Sequence, residues 1–173
     1  MSRIHDQLDE LGITIDPQLF ELALVHRSYS YENGAIPHNE RLEFLGDAVL
    51  DTIIGDMLFA AYPDNGEGFL TRMRSKLVSR QQLNALAKKI GIERVLESNV
   101  ARSHESSVPG NAVEALIGAL FLDRGFDRTR KVVVKLLHAH FDVKEIERED
   151  RDGKSRLLEW GQKRRKKVEF IVR

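Results

Sequence analysis

The sequence predicts an all-α domain over residues 1–144, and three observations predict it. Apolar residues recur at helical spacings of three and four, as in Leu42, Leu45, Val49 and Ile53. Helix-start and helix-stop residues punctuate the chain at suitable intervals, among them Asp16-Pro17, Asn39, Ser79, Gly91 and Asp127. No stretch of residues 1–145 alternates apolar with polar positions as a half-buried strand does.

Residues 3–11 read as a short helix ended by Gly12. Asp16 is expected to cap a second helix with Pro17 at its first position, running to about Val25 on Leu19, Phe20, Leu22, Ala23 and Leu24. Residues 26–38 read as a polar, aromatic-bearing loop, because Pro37 disfavours helix at Ile36. Asn39 is expected to cap a long helix that reaches about Tyr62. Pro63-Asp64-Asn65-Gly66 is a turn, and a helix over 68–78 follows. Ser79 caps the next helix, over 80–90, and Gly91 closes it. Residues 92–98 offer one more helical turn, and 103–110 read as loop. An apolar helix over 111–123 ends near Gly125, and Asp127 is expected to cap a last helix to about His140.

Residues 145–153, acidic and poor in apolar side chains, read as a linker. Beyond them, Leu157, Leu158 and Trp160 fall on helical spacing, and residues 168–172 alternate like a strand. One helix and one strand bury no core, so residues 154–173 are expected to open a second domain present only in part. This end is basic. Residues 154–173 hold eight Lys or Arg against two Glu, a net of +6, which leaves −6 on residues 1–153 of a chain with zero net charge. Such a split suits a tail that meets a polyanion, or simply a solvated charge run.

At 42% apolar and 31% charged residues the chain has the balance of a soluble globular protein. It lacks any run of 18 apolar residues, so no membrane partner is expected, and its first residues lack a signal peptide's apolar core. Without cysteine it forms no disulfide and no thiolate metal site, and a cytoplasmic protein is expected.

The chemistry concentrates on two helices. Glu40, Glu43, Asp47 and Asp51 follow one another at spacings of three, four and four, which aligns them on one helical face. Like charges so placed repel by roughly 0.2–0.5 kcal/mol per pair on an open helix. A neighbouring face carries the core stripe, so the acids sit beside apolar packing and need neutralising. Asn111 and Glu114, three apart on the second helix, stand among small and apolar residues. If the two helices pack, Glu43, Asp47, Asn111 and Glu114 converge. A site of carboxylate and amide oxygens suits magnesium or manganese better than zinc. Such an ion can activate water and stabilise charge on a phosphate, which is the chemistry of phosphodiester hydrolysis. Taken singly, each carboxylate reads more readily as a solvated or Arg-paired side chain; the pattern taken together points to the site.

These residues carry a resemblance. Asn39-Glu40-Arg41-Leu42-Glu43-Phe44-Leu45-Gly46-Asp47-Ala48-Val49-Leu50 resembles the signature of the ribonuclease III family. In the same order, Ala23-Leu24-Val25-His26-Arg27-Ser28-Tyr29 is similar to the family's early segment, residues 66–78 to its basic segment, and Val113-Glu114-Ala115-Leu116-Ile117-Gly118-Ala119 to its second acidic helix. Lys154-Ser155-Arg156-Leu157-Leu158-Glu159-Trp160 resembles the opening helix of a double-stranded-RNA-binding domain. The resemblance implies a helical endonuclease domain over 1–144, a linker over 145–153 and an incomplete RNA-binding domain over 154–173.

It further implies a magnesium-dependent homodimer that cuts double-stranded RNA in RNA processing, leaving 5′-phosphate and 3′-hydroxyl ends, with manganese a possible substitute. Asp47 and Glu114 are the implied catalytic residues, and Glu43, Asp47, Asn111 and Glu114 the metal site. Asn111 stands where the family usually has Asp, which keeps an oxygen and removes a charge. Glu40 and Glu67 match additional acidic positions. Phe44 matches an aromatic that enters a socket on the partner subunit; it lies about 300° around the helix from Asp47, beside the acidic stripe, and reads otherwise as a core residue. Arg72, Arg74, Lys76 and Arg80 form an acid-free basic stretch suited to RNA phosphates, or a solvated face. The other functional class left open is a catalytically weak or idle relative that holds structured RNA as a scaffold.

Overall fold

The computed structural model describes residues 14–98, 107–147, 160–162, 164 and 167. The expected helix over 3–11 and the expected strand over 168–172 lie outside them, as do most of the 154–163 helix and of the linker. The chain divides into two compact units, Met1–His140 and Phe141–Arg173.

The first unit is helical: α1 (Pro17–Leu24), α2 (Arg27–Glu32), α3 (Glu40–Ala61), α4 (Glu67–Leu77), α5 (Arg80–Ile90), a 3-10 turn (Ile92–Arg94) and α6 (Val108–His140). Among the described residues the β structure amounts to one isolated parallel bridge, Val25 with Glu97. No described helix is long and apolar enough to cross a membrane.

Most helix ends are where local chemistry puts them. The Asp16 carboxylate accepts hydrogen bonds from the Gln18 and Leu19 amides, and Pro17 follows at the first helical position. The Asp16 amide itself donates to Asp123 Oδ2 at 2.9 Å, which ties the start of α1 to α6. Ser79 Oγ accepts from the Gln82 amide, and Gly91 closes α5 at φ 84, a left-handed value that favours glycine. The long apolar pattern bends at Gly125, where φ 74 and ψ 176 interrupt the helix and redirect α6. Lys89 Nζ donates to the carbonyl of His140 at 2.6 Å, satisfying an end that has no intrahelical partner.

Three expectations fail, each for a local reason. Residues 26–38 are not all loop: α2 forms because His26 caps it, its Nδ1 accepting from the Ser28 amide at 3.1 Å. Burial, and then the Arg27 charge, lower the His26 pKa, which keeps Nδ1 an acceptor. Asn39 occupies the cap position of α3 but makes no side-chain cap bond. It is fully buried instead, donating from Nδ2 to the Ala23 carbonyl at 3.1 Å and from its amide to the Val25 carbonyl at 2.9 Å. The loop expected to last until residue 110 ends earlier, because α6 starts at Val108 and places Asn111 within its first turn.

The core lies between α3 and α6, the most extensively packed pair. Leu42, Val49, Leu50, Ile53, Ile54 and Leu58 form the buried face of α3. The first arm of α6 is buried nearly all round, from Ala112 to Leu120, as befits a central helix. Fully burying one such aliphatic side chain contributes about 1.5–3 kcal/mol. This crossing places the acidic faces of the two helices side by side.

In the second unit, residues 143–147 are helical, and Asp142 Oδ1 accepts from the Glu145 amide at their start. Residues 160–162 are helical too, and the Arg164 guanidinium stacks over the Trp160 ring 4.9 Å from its centre.

Candidate active site

Two glycines set the distance between α3 and α6. A β-carbon on Gly46 would stand 1.7 Å from the Glu114 carbonyl oxygen, and one on Gly118 would stand 2.2 Å from the Leu42 carbonyl oxygen. The backbones therefore touch, and only glycine fits at either place. This contact brings Glu43 and Asp47 of α3 to the same cleft as Glu114 of α6, with Asn111 beside Glu43.

The result is an open cleft of about 490 Å³ lined by Glu40, Glu43, Phe44, Asp47 and Glu114. Asp47 is exposed, while Glu43 and Glu114 are partly buried. Burial first, and then the charges of Asp47, Glu43 and Asp51, push the Glu114 carboxyl up to about 7. Burial also raises Glu43; a hydrogen bond from Asn111 opposes this, Glu40 and Asp47 raise it further, and Arg27 lowers it. Carboxylates in these surroundings resist ionisation because their charges crowd one another away from water. A cation in the cleft would relieve both causes at once.

A side-chain hydrogen bond from Asn111 favours the charged form of Glu43, so Asn111 acts on it as a donor, although it does not itself line the cleft. Among the described residues no three His, Cys, Asp or Glu side chains already enclose a point as a metal cage. Magnesium does not require one: it commonly keeps several waters and takes one or two carboxylates. Glu43, Asp47 and Glu114, with the Asn111 amide, fit that kind of holding.

The remaining sequence-predicted residues divide. Glu40 lines the cleft and is ion-paired with Arg27 at 2.9 Å, with His38 Nδ1 3.9 Å away on its other oxygen. Phe44 lines the cleft mouth and is 81% exposed, so it is no core residue. Glu67 does not line the cleft; it opens α4 and accepts a hydrogen bond from Thr71 Oγ1 at 2.8 Å. Arg72, Arg74 and Lys76 lie on α4 and Arg80 opens α5, with Arg72 and Arg80 exposed, and none of the four lines the cleft.

A family model described as ribonuclease-III-like matches residues 16–140. The chain belongs to the ribonuclease-III-like family. Among curated relatives of this ribonuclease-III-like chain, Ribonuclease 3 of Bacteroides thetaiotaomicron is 43% identical over 157 residues, covering 88% of this chain and 50% of the relative. Ribonuclease 3 of Mycobacterium tuberculosis is 41% identical over 144 residues, covering 79% and 60% respectively. The chain thus spans about half the length of the first of these relatives. The nuclease domain of ribonuclease III from Campylobacter jejuni superposes with a TM-score of 0.70 at 30% identity, covering 80% of this chain and 98% of that one. Dicer from Pichia stipitis superposes with a TM-score of 0.58 at 32% identity over 72% of this chain and 55% of its own. The domain seen here therefore has the ribonuclease III nuclease fold.

Reading the ribonuclease-III-like sequence for charge passes over Gly46 and Gly118, which carry no chemistry and set the whole geometry. Their signal is two glycines inside helices that otherwise favour better helix formers, where each costs about 1 kcal/mol relative to Ala. It also passes over Arg27, a cation of α2 that pairs with the lining residue Glu40.

Proposed function

We propose that the protein is a divalent-metal-dependent endoribonuclease that hydrolyses phosphodiester bonds of double-stranded RNA, leaving 5′-phosphate and 3′-hydroxyl ends. The observation that carries this reading is the convergence of Glu43, Asp47 and Glu114, from two helices in backbone contact, on one cleft. Family membership supports it. Magnesium is the proposed ion and manganese its substitute, held by Glu43, Asp47, Glu114 and the Asn111 oxygen. Bound there, the ion supplies activation of water and stabilisation of charge on a phosphate.

The chain's own residues do the rest. Asp47 is exposed at the cleft and would be one of the carboxylates that hold the ion. Glu114, its carboxyl raised to about 7 by burial and its acidic neighbours, would in its charged form help hold the ion. Asn111 orients Glu43 through its donated hydrogen bond. Asp47 and Glu114 are the proposed catalytic pair, and Glu40 and Glu67 auxiliary acids.

A homodimer is the proposed assembly. Phe44 is a large apolar side chain exposed beside the cleft, where a partner subunit would cover it. The Campylobacter jejuni nuclease domain has a flexible region involved in dimer formation. Arg72, Arg74, Lys76 and Arg80 are the proposed contacts to RNA phosphates, and an RNA-binding domain is proposed to begin within residues 154–173. Cytoplasmic processing of ribosomal and messenger RNA is the setting this chemistry suits.

Incubation of the protein with a long RNA duplex and magnesium tests the reading. Cleavage is expected in the wild type and is expected to vanish in Glu114→Gln. Tight binding of the duplex without any cleavage would instead establish a structured-RNA scaffold.

A further inference from the structure

We propose that Arg27 is a phosphate-contact residue at the mouth of the acidic cleft, held in place by Glu40. The inference rests on the endoribonuclease reading and extends it to how a polyanion enters a site of its own sign.

Four carboxylates line the cleft: Glu40, Glu43, Asp47 and Glu114. One divalent ion neutralises only part of that charge, so an RNA strand still meets a repulsive field. The basic residues of α4 and α5 do not line the cleft. Arg27 does not line it either, but it is ion-paired with Glu40, which does. It begins α2, and its guanidinium contacts Glu40 Oε1 at 2.9 Å while remaining half exposed. One donor on Glu40 leaves others in the planar fork, whose shape matches the oxygens of a phosphate.

The arrangement is braced. The segment carrying Arg27 is pinned by the His26 amide on the Glu97 carbonyl at 2.9 Å, and its neighbour Val25 accepts the Asn39 amide at 2.9 Å. On the far side of Glu40 stands His38, itself edge-on to Tyr31 with ring centres 6.2 Å apart. Glu40 is thus spoken for by Arg27, and its part at the cleft is to aim a cation. An exposed ion pair contributes little to stability, so a purely structural purpose leaves this bracing without a reason.

The test uses the full chain, a perfectly paired RNA duplex and magnesium, comparing the wild type with Arg27→Ala, Arg27→Lys and Glu40→Gln. Arg27→Ala is expected to raise KM roughly tenfold, the loss of one charge-assisted hydrogen bond, with kcat little changed. Its plot of log kcat/KM against log salt should be shallower by about one phosphate contact. Arg27→Lys should recover part of the loss, keeping charge without the fork. Glu40→Gln should raise KM by less than Arg27→Ala, because it loosens the cation without removing it. A fall in kcat with KM and salt slope unchanged in Arg27→Ala would overturn the proposal and leave Arg27 a mere positioner of Glu40. So would a loss of melting temperature large enough to account for the change. Wild-type protein that neither binds nor cuts the duplex would overturn both this proposal and the function on which it rests.

Discussion

Gly46 and Gly118 lie against each other across the α3–α6 crossing. A β-carbon on Gly46 would come within 2.8 Å of the Gly118 amide nitrogen, and one on Gly118 within 3.1 Å of the Gly46 amide nitrogen. The neighbouring atoms are backbone, which cannot rotate away. Gly46→Ala is therefore expected to force the helices apart, destabilising the fold by about 1–3 kcal/mol or more and separating Asp47 from Glu114. Thermal melting and duplex cleavage check it, with both falling. Gly55→Ala is the internal control, since nothing stands within 4 Å of its added carbon. It should stabilise α3 by about 0.5–1 kcal/mol, the ordinary gain of Ala over Gly in a helix.

The Glu114 carboxyl makes the metal-free protein sensitive to pH. Its ordinary value is 4.5 and its folded value about 7. Between the two, the folded chain keeps a proton that the unfolded chain has lost. The contribution is complete below pH 4.5 and is lost as pH rises through 7. Melting temperature without magnesium should accordingly fall from pH 5.5 to pH 8, apart from acid effects at other groups, and the slope should flatten in Glu114→Gln. Added magnesium should raise the melting temperature more at pH 8 than at pH 5.5, because at the lower pH it must displace the proton. An equal magnesium effect at both would contradict this.

Asn111 donates a hydrogen bond to Glu43. Asn111→Asp replaces that donor with a second negative charge. Two outcomes of opposite sign are expected. The metal-free protein should melt lower, by repulsion between the two carboxylates, and cleavage should reach half its maximum at less magnesium, by added charge on the ion. Titrating magnesium against cleavage in both proteins decides; an unchanged requirement would show that the charge at position 111 is immaterial to ion binding.

Phe44 is exposed in the single chain, so its removal costs no core packing. Phe44→Ala should leave far-ultraviolet circular dichroism unchanged and weaken self-association, read as a shift toward monomer in sedimentation at matched concentration. A variant as dimeric as the wild type would remove Phe44 from the interface.

The sequence by itself determined much of this protein. Helix periodicity located α1 and α3 to α5, and the expected helix end near Gly125 falls where α6 is interrupted, because these features depend on neighbours along the chain. The acidic spacing on α3 and the pair Asn111 and Glu114 named the candidate site, for spacing of three and four is a local property of any helix. What failed was tertiary. Asn39 looks like a cap by residue type, yet burial beside Ala23 gives its amide a better use. The His26 cap escapes a reading that expects Ser, Thr, Asp or Asn at such a position. Only the packed structure decided that Glu43 and Glu114 share a space, that burial and crowding lift the Glu114 carboxyl to about 7, and that Arg27 reaches over to Glu40. Each of these depends on the distance between segments remote in sequence. At the cleft that distance is set by two glycines whose contribution is the absence of a side chain.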